Sequence, residues 1–368
     1  MAVRGGPGYG TGMDGPHDGV NSGLAALLAD PAWLPHRIVG GGKAVRFAHL
    51  PRAEQRSLPL LDERFVGEHV PQIEVALARI LEAKPSLGAE GHFIFHSAFC
   101  CSTLMARALD VDGMATVLQE PRALTDLSSA ARDADGREAA RPLLEAVVAL
   151  LQRPHRAGEA VIVKPSNFAN PLIEDLLDLR PGARALLMYA PLPEFLLAIV
   201  RRGVSNRGMS NRVWARRMAT LFRREPQFEA MEARDLLVLT DLQVAAWVWL
   251  QHQAQFARLL REQPTGRVAT LEMGTFLADP ARTLIQAASL FGLDVDEARA
   301  ADIAAGPAFR QHSKRPGRAF DPAALKREEA GAKFAYGAEI GEAVDWAGGL
   351  AARAGVPLRL EAPLLPRA

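Results

Sequence analysis

Short apolar runs that alternate with helical patterns constrain the fold of this chain more than any other feature of its sequence. Each run has the length of a strand that is buried on both faces of a sheet. Each is followed by a segment whose apolar residues recur at helical spacing. The runs are residues 92–96, 160–163, 185–189 and 268–271. This order predicts an α/β fold with three layers (α/β/α) around a mainly parallel sheet.

Composition divides the chain into three parts. Residues 1–20 are rich in glycine and lack apolar periodicity, which predicts a disordered tail. Residues 21–90 form an accessory N-terminal segment, and residues 91–368 contain the strand–helix alternation that predicts the main domain.

Two patterns predict structure inside the accessory segment. Val45 and Phe47 alternate with less apolar neighbours, which predicts a short strand. After Pro71, the residues Ile73, Leu77 and Ile80 fall on one face of a predicted helix.

The charge balance argues against several classes of function. The 43 Lys and Arg residues against 42 Asp and Glu residues give a net charge of +1, so no global field attracts nucleic acid or anionic lipid. The most apolar stretch, residues 185–200, contains two prolines and a glutamate and is shorter than the roughly 20 apolar residues that span a bilayer. We therefore predict a cytoplasmic protein that binds neither nucleic acid nor membrane, and the oligomeric state stays open.

The cysteines and histidines argue against a disulfide framework and against a metal. Cys100 and Cys101 are adjacent, so they cannot join distant segments, and a reducing compartment is the simplest interpretation. The nine His and two Cys residues show no metal-ligand spacing, so we predict no metal.

The strongest local signal is a tight turn between the strand at 92–96 and a helix. The turn and the helix start consist of Ser97, Ala98, Phe99, Cys100, Cys101, Ser102 and Thr103. The N–H groups of such a turn and the positive end of the helix bind anions, and the two hydroxyls add donors. The Walker A motif is absent, because no lysine stands before the hydroxyl residues. The alternatives are an ordinary strand–helix turn and simple capping of the helix.

Lys164 ends the second apolar run, at the sheet edge where open α/β folds bind their ligands. Only six of the 43 basic residues are Lys, so this chain uses arginine by default. A functional ammonium is one interpretation of Lys164, and a lysine that extends from a strand end into solvent is the other.

Taken in order, these segments resemble the sulfotransferase family, P-loop-fold enzymes that use 3′-phosphoadenosine 5′-phosphosulfate (PAPS). The stretch FIFHSAFCCSTLMARALD resembles the family's 5′-phosphosulfate loop. VIVKPSN is similar to its lysine-bearing strand, and GRVATLEMGTFLADPARTLIQAASLFGL to its late strand–helix unit. The resemblance covers roughly residues 91–320. It implies that residues 97–103 bind PAPS and that the acceptor is a small-molecule hydroxyl or amine.

The resemblance also implies two catalytic residues. Lys164 matches the strand lysine that stabilises charge on the leaving oxygen. Ser166 stands where many members have a histidine base, and Glu120 resembles the acidic residue that other members use to take the acceptor proton. The alternative for Glu120 is an exposed ion pair with Arg122.

The chain departs from the family where the 3′-phosphate binds. Ala190 and Ala198 occupy the positions of the usual Arg and Ser, and neither side chain can bind a phosphate. The late basic segment resembles the loop that also holds this phosphate. We therefore predict that Lys314, Arg315 and Arg318 lie over the nucleotide, the alternative being a solvated basic loop.

Two other functions stay open. A P-loop nucleotide kinase or hydrolase would need the Walker lysine that is missing here. A non-catalytic protein that binds an anion or a partner on the same fold would tolerate the departures at Phe99, Ala190 and Ala198.

Overall fold

The computed structural model describes residues 17–85, 91–131, 134–205, 225–229, 231–311 and 321–365, and single residues at 88, 219 and 319. The strands in this part of the chain are β1 (Trp33–Val39), β2 (Ala44–His49), β3 (Gln72–Ala76), β4 (His92–His96), β5 (Ala115–Gln119), β6 (Ala160–Lys164), β7 (Ala185–Tyr189) and β8 (Val268–Glu272). They form a three-stranded sheet and a five-stranded sheet.

The five-stranded sheet is parallel and has the order β5-β6-β4-β7-β8. Every residue of β7 is buried, as expected of a strand that is covered on both faces. The predicted α/β fold with a parallel sheet is confirmed. The apolar runs did not predict β5, because Thr116 and Gln119 interrupt its apolar pattern although both are buried.

Helices cover both faces of the parallel sheet. Those in the described ranges are α1 (His17–Ala29), α2 (Arg52–Ser57), α3 (Leu77–Ala83), α4 (Ser102–Leu109), α5 (Arg122–Ala130), α6 (Ala134–Leu151), α7 (Ile173–Leu179), α8 (Leu192–Ser205), α9 (Ala233–Val238), α10 (Asp241–Glu262), α11 (Met273–Ala278), α12 (Pro280–Leu290), α13 (Glu297–Ala304), α14 (Pro307–Arg310) and α15 (Pro322–Ala354). One face packs against α4, α8, α12 and α15, and the other packs against α5, α6 and α7. The predicted three layers are therefore present.

Helix α10 is buried in the core over most of its 22 residues. Thr240 caps it by accepting a hydrogen bond from Gln243 N–H, and the Gln243 side chain accepts from Thr240 N–H in return. Trp247 and Trp249 are both fully buried, so both belong to the core. The sequence pattern predicts a long helix from about residue 241 to residue 261, and the observed helix ends one residue later, at Glu262.

The accessory segment shares its core with the rest of the molecule. Its antiparallel strands β1, β2 and β3 bury Val45 and Phe47 in the same apolar cluster as α5 and α6. The Arg153 guanidinium, at the end of α6, donates to the carbonyls of Leu28, Asp30 and Trp33. Burial lowers the pKa of Arg153 to about 10. These bonds fasten the start of the segment to the helical layer.

Two expectations for the N-terminal part are corrected. Helix α1 begins at His17, so residues 17–20 are helical, whereas residues 1–16 lie outside the described ranges. Ile73 lies in β3 and pairs with Phe47 of β2, so the helix begins only at Leu77. In the described part of the chain, no helix combines the length and apolarity needed to cross a membrane.

Candidate functional site

The loop between β4 and α4 has an unusual backbone. Ala98, Phe99 and Cys101 have φ values of 72°, 52° and 61°, in the left-handed region that favours glycine. This conformation costs about 1–2 kcal/mol for each residue with a side chain. Such strain persists only where the surrounding structure enforces it, and it concentrates at functional sites. The Cys100 thiol donates to Met188 O at 3.4 Å and fastens the loop to β7.

The helix that follows the loop begins with donors that have no partner among the described residues. The N–H groups of Leu104 and Met105 both bond to Cys101 O, at 3.0 and 3.1 Å. Within the described ranges, no hydrogen bond reaches the N–H or the hydroxyl of Ser102 or Thr103, although both residues are nearly buried. Cys101 provides no side-chain cap. The hydroxyls therefore do not cap this helix, and the N-terminus retains its capacity for an anion.

Lys164 and Glu120 form a buried ion pair beside this loop. Lys164 Nζ donates to Glu120 Oε1 at 2.7 Å, and the two side chains are 0% and 10% exposed. Strand register explains the meeting, because Gln119 of β5 lies opposite Lys164 of β6. Glu120 N–H also donates to Lys164 O at 2.7 Å. Glu120 itself has a φ of 54°, which makes it a fourth left-handed residue at this edge.

The non-functional alternative is wrong for each of these two residues. Lys164 does not extend into solvent, and Glu120 does not pair with Arg122. The Arg122 guanidinium instead bonds to Glu63 and to Asp126. Because both side chains are almost fully buried, they do not line a cleft that is open to solvent.

His96 is a third member of the cluster, and it was not among the site residues predicted from the sequence. Its Nε2 lies 3.2 Å from Lys164 Nζ and 3.9 Å from Glu120 Oε1. Its Nδ1 accepts a hydrogen bond from Ala98 N–H at 3.1 Å. The signal available in the sequence was a polar residue at the end of an apolar strand, as for Lys164. Its meaning depends on β4 and β6 being neighbours.

A buried polar network lies behind His96. Asn170 Nδ2 donates to His96 O at 3.1 Å and lies 3.0 Å from Nδ1 of His252. Gln255 Nε2 donates to Asn170 O at 2.8 Å. Burial lowers the pKa of His252 to about 3, so its ring is neutral and can accept from Asn170. The network fixes the backbone where β4 ends and the loop begins.

The accessory segment reaches the edge of the site. Leu61 N–H donates to Gln119 O at 2.7 Å, and Arg122 N–H donates to Leu61 O at 3.3 Å. The chain near Leu61 therefore pins the turn that contains Glu120. His36 is buried close to Arg37 and Arg122, and burial together with the nearby cation of Arg37 lowers its pKa to about 4.

The structure describes only some of the positions that the resemblance connects with the 3′-phosphate. Ala190 is fully buried, and its carbonyl accepts from Trp249 Nε1 at 2.8 Å. Ala198 is half-buried on α8. Lys314, Arg315 and Arg318 lie outside the described residues, as does most of the arginine-rich stretch at 201–217.

Together these features define a class of site. A strand–loop–helix unit at the carboxyl edge of a parallel sheet presents unpaired donors, and a lysine, a carboxylate and an imidazole meet at its base. The carboxyl edge of a parallel sheet is where open α/β folds bind their ligands, and a helix N-terminus there is suited to an anion.

Comparison with known proteins adds two partial likenesses. No family model and no curated protein sequence matches the chain. A sulfotransferase from Alicyclobacillus acidocaldarius is 15% identical with a TM-score of 0.39, over 73% of this chain and 97% of that one. The sulfotransferase domain from the curacin biosynthetic pathway is 13% identical with a TM-score of 0.40, over 73% of this chain and 99% of that one. Both bear the name of the family that the sequence resembles. At such TM-scores the backbones coincide only in part, so the activity of these proteins is not transferred to this chain.

Proposed function

We propose that this protein transfers a sulfonyl group from PAPS to a hydroxyl or amine of a small-molecule acceptor. The observation that supports the proposal is that the carboxyl ends of β4, β5 and β6 lie side by side at one edge of the sheet. The anion-binding loop of β4, Lys164 of β6 and Glu120 after β5 lie at one edge of the sheet, with Lys164 Nζ 2.7 Å from Glu120 Oε1. Sulfonyl transfer needs a site for the anion, a cation at the leaving oxygen and a base for the acceptor.

The described residues fit one end of PAPS better than the other. The N–H groups and hydroxyls of Ser102 and Thr103, which have no partner among the described residues, suit the 5′-phosphosulfate. The N–H groups of Ser97 and Ala98 are bonded to Met188 O and His96 Nδ1 in the free protein. For the 3′-phosphate, Ala190 and Ala198 offer no donor side chain. Lys314, Arg315 and Arg318 are therefore the proposed ligands of that group.

The chain's own residues then have separate roles. Bound PAPS supplies the activated sulfonyl group, and Ser102 and Thr103 hold its phosphosulfate oxygens. An ammonium has three donors, and Glu120 engages one of those of Lys164, so the ammonium keeps donors for the leaving oxygen. Glu120 takes the acceptor proton. Positioning and electrostatics supply most of the rate in such in-line transfers.

A second candidate is a non-catalytic anion-binding protein on the same fold. The observation in its favour is the complete burial of Lys164 in an ion pair, because such pairs also occur as purely structural elements. It differs from the first candidate in predicting nucleotide binding without turnover.

Turnover of PAPS distinguishes the two candidates. The release of 3′-phosphoadenosine 5′-phosphate would be measured with a panel of alcohol, phenol and amine acceptors, for wild type, Glu120→Gln and Lys164→Arg. We expect wild-type release that depends on an acceptor, and a loss of about 10²–10⁴-fold in Glu120→Gln. Lys164→Arg is the control that keeps the charge. Binding of PAPS without release under any acceptor favours the non-catalytic candidate. Turnover of ATP with magnesium instead would favour a kinase or hydrolase.

A further inference from the structure

His96 connects the anion-binding loop to Lys164 through its two ring nitrogens. Nδ1 accepts from Ala98 N–H at 3.1 Å, and Nε2 lies 3.2 Å from Lys164 Nζ. The imidazole is only 3% exposed, so water does not replace either contact easily.

These two contacts compete for the one proton of a neutral imidazole. A neutral ring has one acceptor nitrogen and one donor nitrogen. While Nδ1 accepts from Ala98, the ring proton is on Nε2 and faces Lys164, whose ammonium can only donate. The ring can accept from Lys164 only after its proton has moved from Nε2 to Nδ1, which ends the bond from Ala98.

We propose that His96 is a positioning residue that orients Lys164 when an anion fills the loop. The proposal rests on the proposed function in taking Lys164 as the cation at the leaving oxygen. An anion in the loop draws Ala98 N–H to itself and releases Nδ1. Solvent takes one proton from Nε2 and delivers one to Nδ1, so the ring stays neutral, and Nε2 then accepts from the Lys164 ammonium.

Hydrogen bonds hold the main chain of His96 and Ser97 in place, so the position of the ring proton can change while this part of the main chain does not. Asn170 holds the His96 carbonyl at 3.1 Å, and Gln255 holds Asn170 in turn. Ser97 N–H is bonded to Met188 O at 3.0 Å. Because the main chain of His96 and Ser97 is fixed, the response to a ligand is left to Ala98 N–H and to the ring proton.

Three substitutions separate the two contacts. His96→Asn places an amide where Nδ1 lies and can keep the bond from Ala98. His96→Gln reaches the position of Nε2 and can keep the contact with Lys164. His96→Ala removes both. The readouts are the Kd for 3′-phosphoadenosine 5′-phosphate by calorimetry and its release from PAPS, with thermal unfolding to show that each variant is folded.

The two readouts should rank the variants differently. His96→Gln and His96→Ala should bind 3′-phosphoadenosine 5′-phosphate about two- to tenfold more tightly than His96→Asn, because Ala98 N–H has lost its internal partner. Release from PAPS should be largely retained in His96→Gln and reduced by about tenfold or more in the other two, because only glutamine still positions Lys164. Equal affinities in all three variants, or turnover in His96→Asn equal to that in His96→Gln, would overturn the proposal.

A spectroscopic readout separates this proposal from the proposed function. The ¹⁵N chemical shifts of the His96 ring, assigned with His96→Asn, report which nitrogen carries the proton. We expect the proton on Nε2 in the free protein and on Nδ1 with 3′-phosphoadenosine 5′-phosphate or inorganic sulfate. If sulfate moves the proton but PAPS is not used, the coupling stands and the proposed function fails. If neither anion moves it, the coupling is wrong, whether or not PAPS turns over.

Discussion

Lys164 and Glu120 each neutralise a charge that would be costly to bury alone. Their 2.7 Å contact joins a side chain without exposed surface to one that is 10% exposed. Removal of one partner from such a pair leaves the other uncompensated, whereas loss of both is often tolerated. The pair is therefore part of the stability of the fold as well as the proposed centre of the chemistry.

A double-mutant cycle tests this interdependence. Lys164→Met should reduce the free energy of unfolding by about 3–5 kcal/mol, because it leaves the Glu120 carboxylate buried without its cation. Lys164→Met combined with Glu120→Gln should lose less than the sum of the two single losses, since no charge remains. Urea unfolding at neutral pH measures all four proteins. Additive losses would mean that the two side chains are not coupled in solution.

His252 gives the stability of the protein a pH dependence with a definite sign. Its pKa falls from 6.5 to about 3 on folding because the ring is buried. The unfolded chain therefore binds the proton more readily, and this contribution is complete above pH 6.5 and is lost as the pH falls below it. Stability should decrease by about 1.4 kcal/mol per pH unit from this group.

His252→Asn keeps an acceptor for Asn170 and removes the titration. Its free energy of unfolding should depend less steeply on pH between 6.5 and 5 than that of wild type, with a difference of about 2 kcal/mol over that interval. His36, whose pKa is lowered to about 4, remains in both proteins and contributes equally. Parallel pH profiles for the two proteins would show that His252 is not buried as a neutral ring.

The sequence predicted the order of elements in the unit of β4, loop and α4, but it did not predict the backbone conformation of the loop. The apolar run at 92–96 and the hydroxyls at 102–103 were sufficient to predict a strand, a turn and the start of a helix. They did not predict the left-handed backbone at Ala98, Phe99 and Cys101, because no glycine marks those positions. The surrounding packing, not local preference, imposes this conformation.

Relief of that strain is measurable at Cys101. Cys101→Gly should stabilise the protein by roughly 0.5–1 kcal/mol, since glycine adopts a φ of 61° without the steric cost and this gain exceeds its entropic loss. Cys101→Ala is the matched control, because it removes the thiol but keeps the strain. Thermal unfolding of both variants checks the expectation. If Cys101→Ala is as stable as Cys101→Gly, the backbone is not strained there.

Two further features, the role of His96 and the presence of β5, depend on the order of the strands in the sheet. His96 and Lys164 are far apart in the chain, and they meet because β4 and β6 are neighbours. Periodicity detects a strand but does not say which strand lies beside it. Because the polar residues Thr116 and Gln119 interrupt its apolar pattern, β5 was not predicted from the sequence. Without β5, nothing in the sequence indicated that Glu120 faces Lys164.

At the scale of the whole molecule, the accessory segment holds the end of the edge strand β5. The residue pattern of 21–90 predicted one strand and one helix but gave no role for the segment. In the folded chain its sheet shares a core with α5 and α6, and Leu61 bonds to Gln119 and Arg122 on either side of Glu120. The fold around the proposed site therefore depends on residues distant from it in sequence.

The central claim is that the loop and its neighbours bind a 3′-phosphorylated nucleotide. Calorimetric titration of wild type with 3′-phosphoadenosine 5′-phosphate and, in parallel, with adenosine 5′-monophosphate tests it most directly, with Thr103→Ala as the variant. We expect clear preference for the 3′-phosphorylated ligand and a loss of about 1–3 kcal/mol of its binding free energy in Thr103→Ala, whose missing hydroxyl would contact a charged phosphate. Equal affinity for the two nucleotides, or no binding of either, would contradict the assignment of PAPS as the donor.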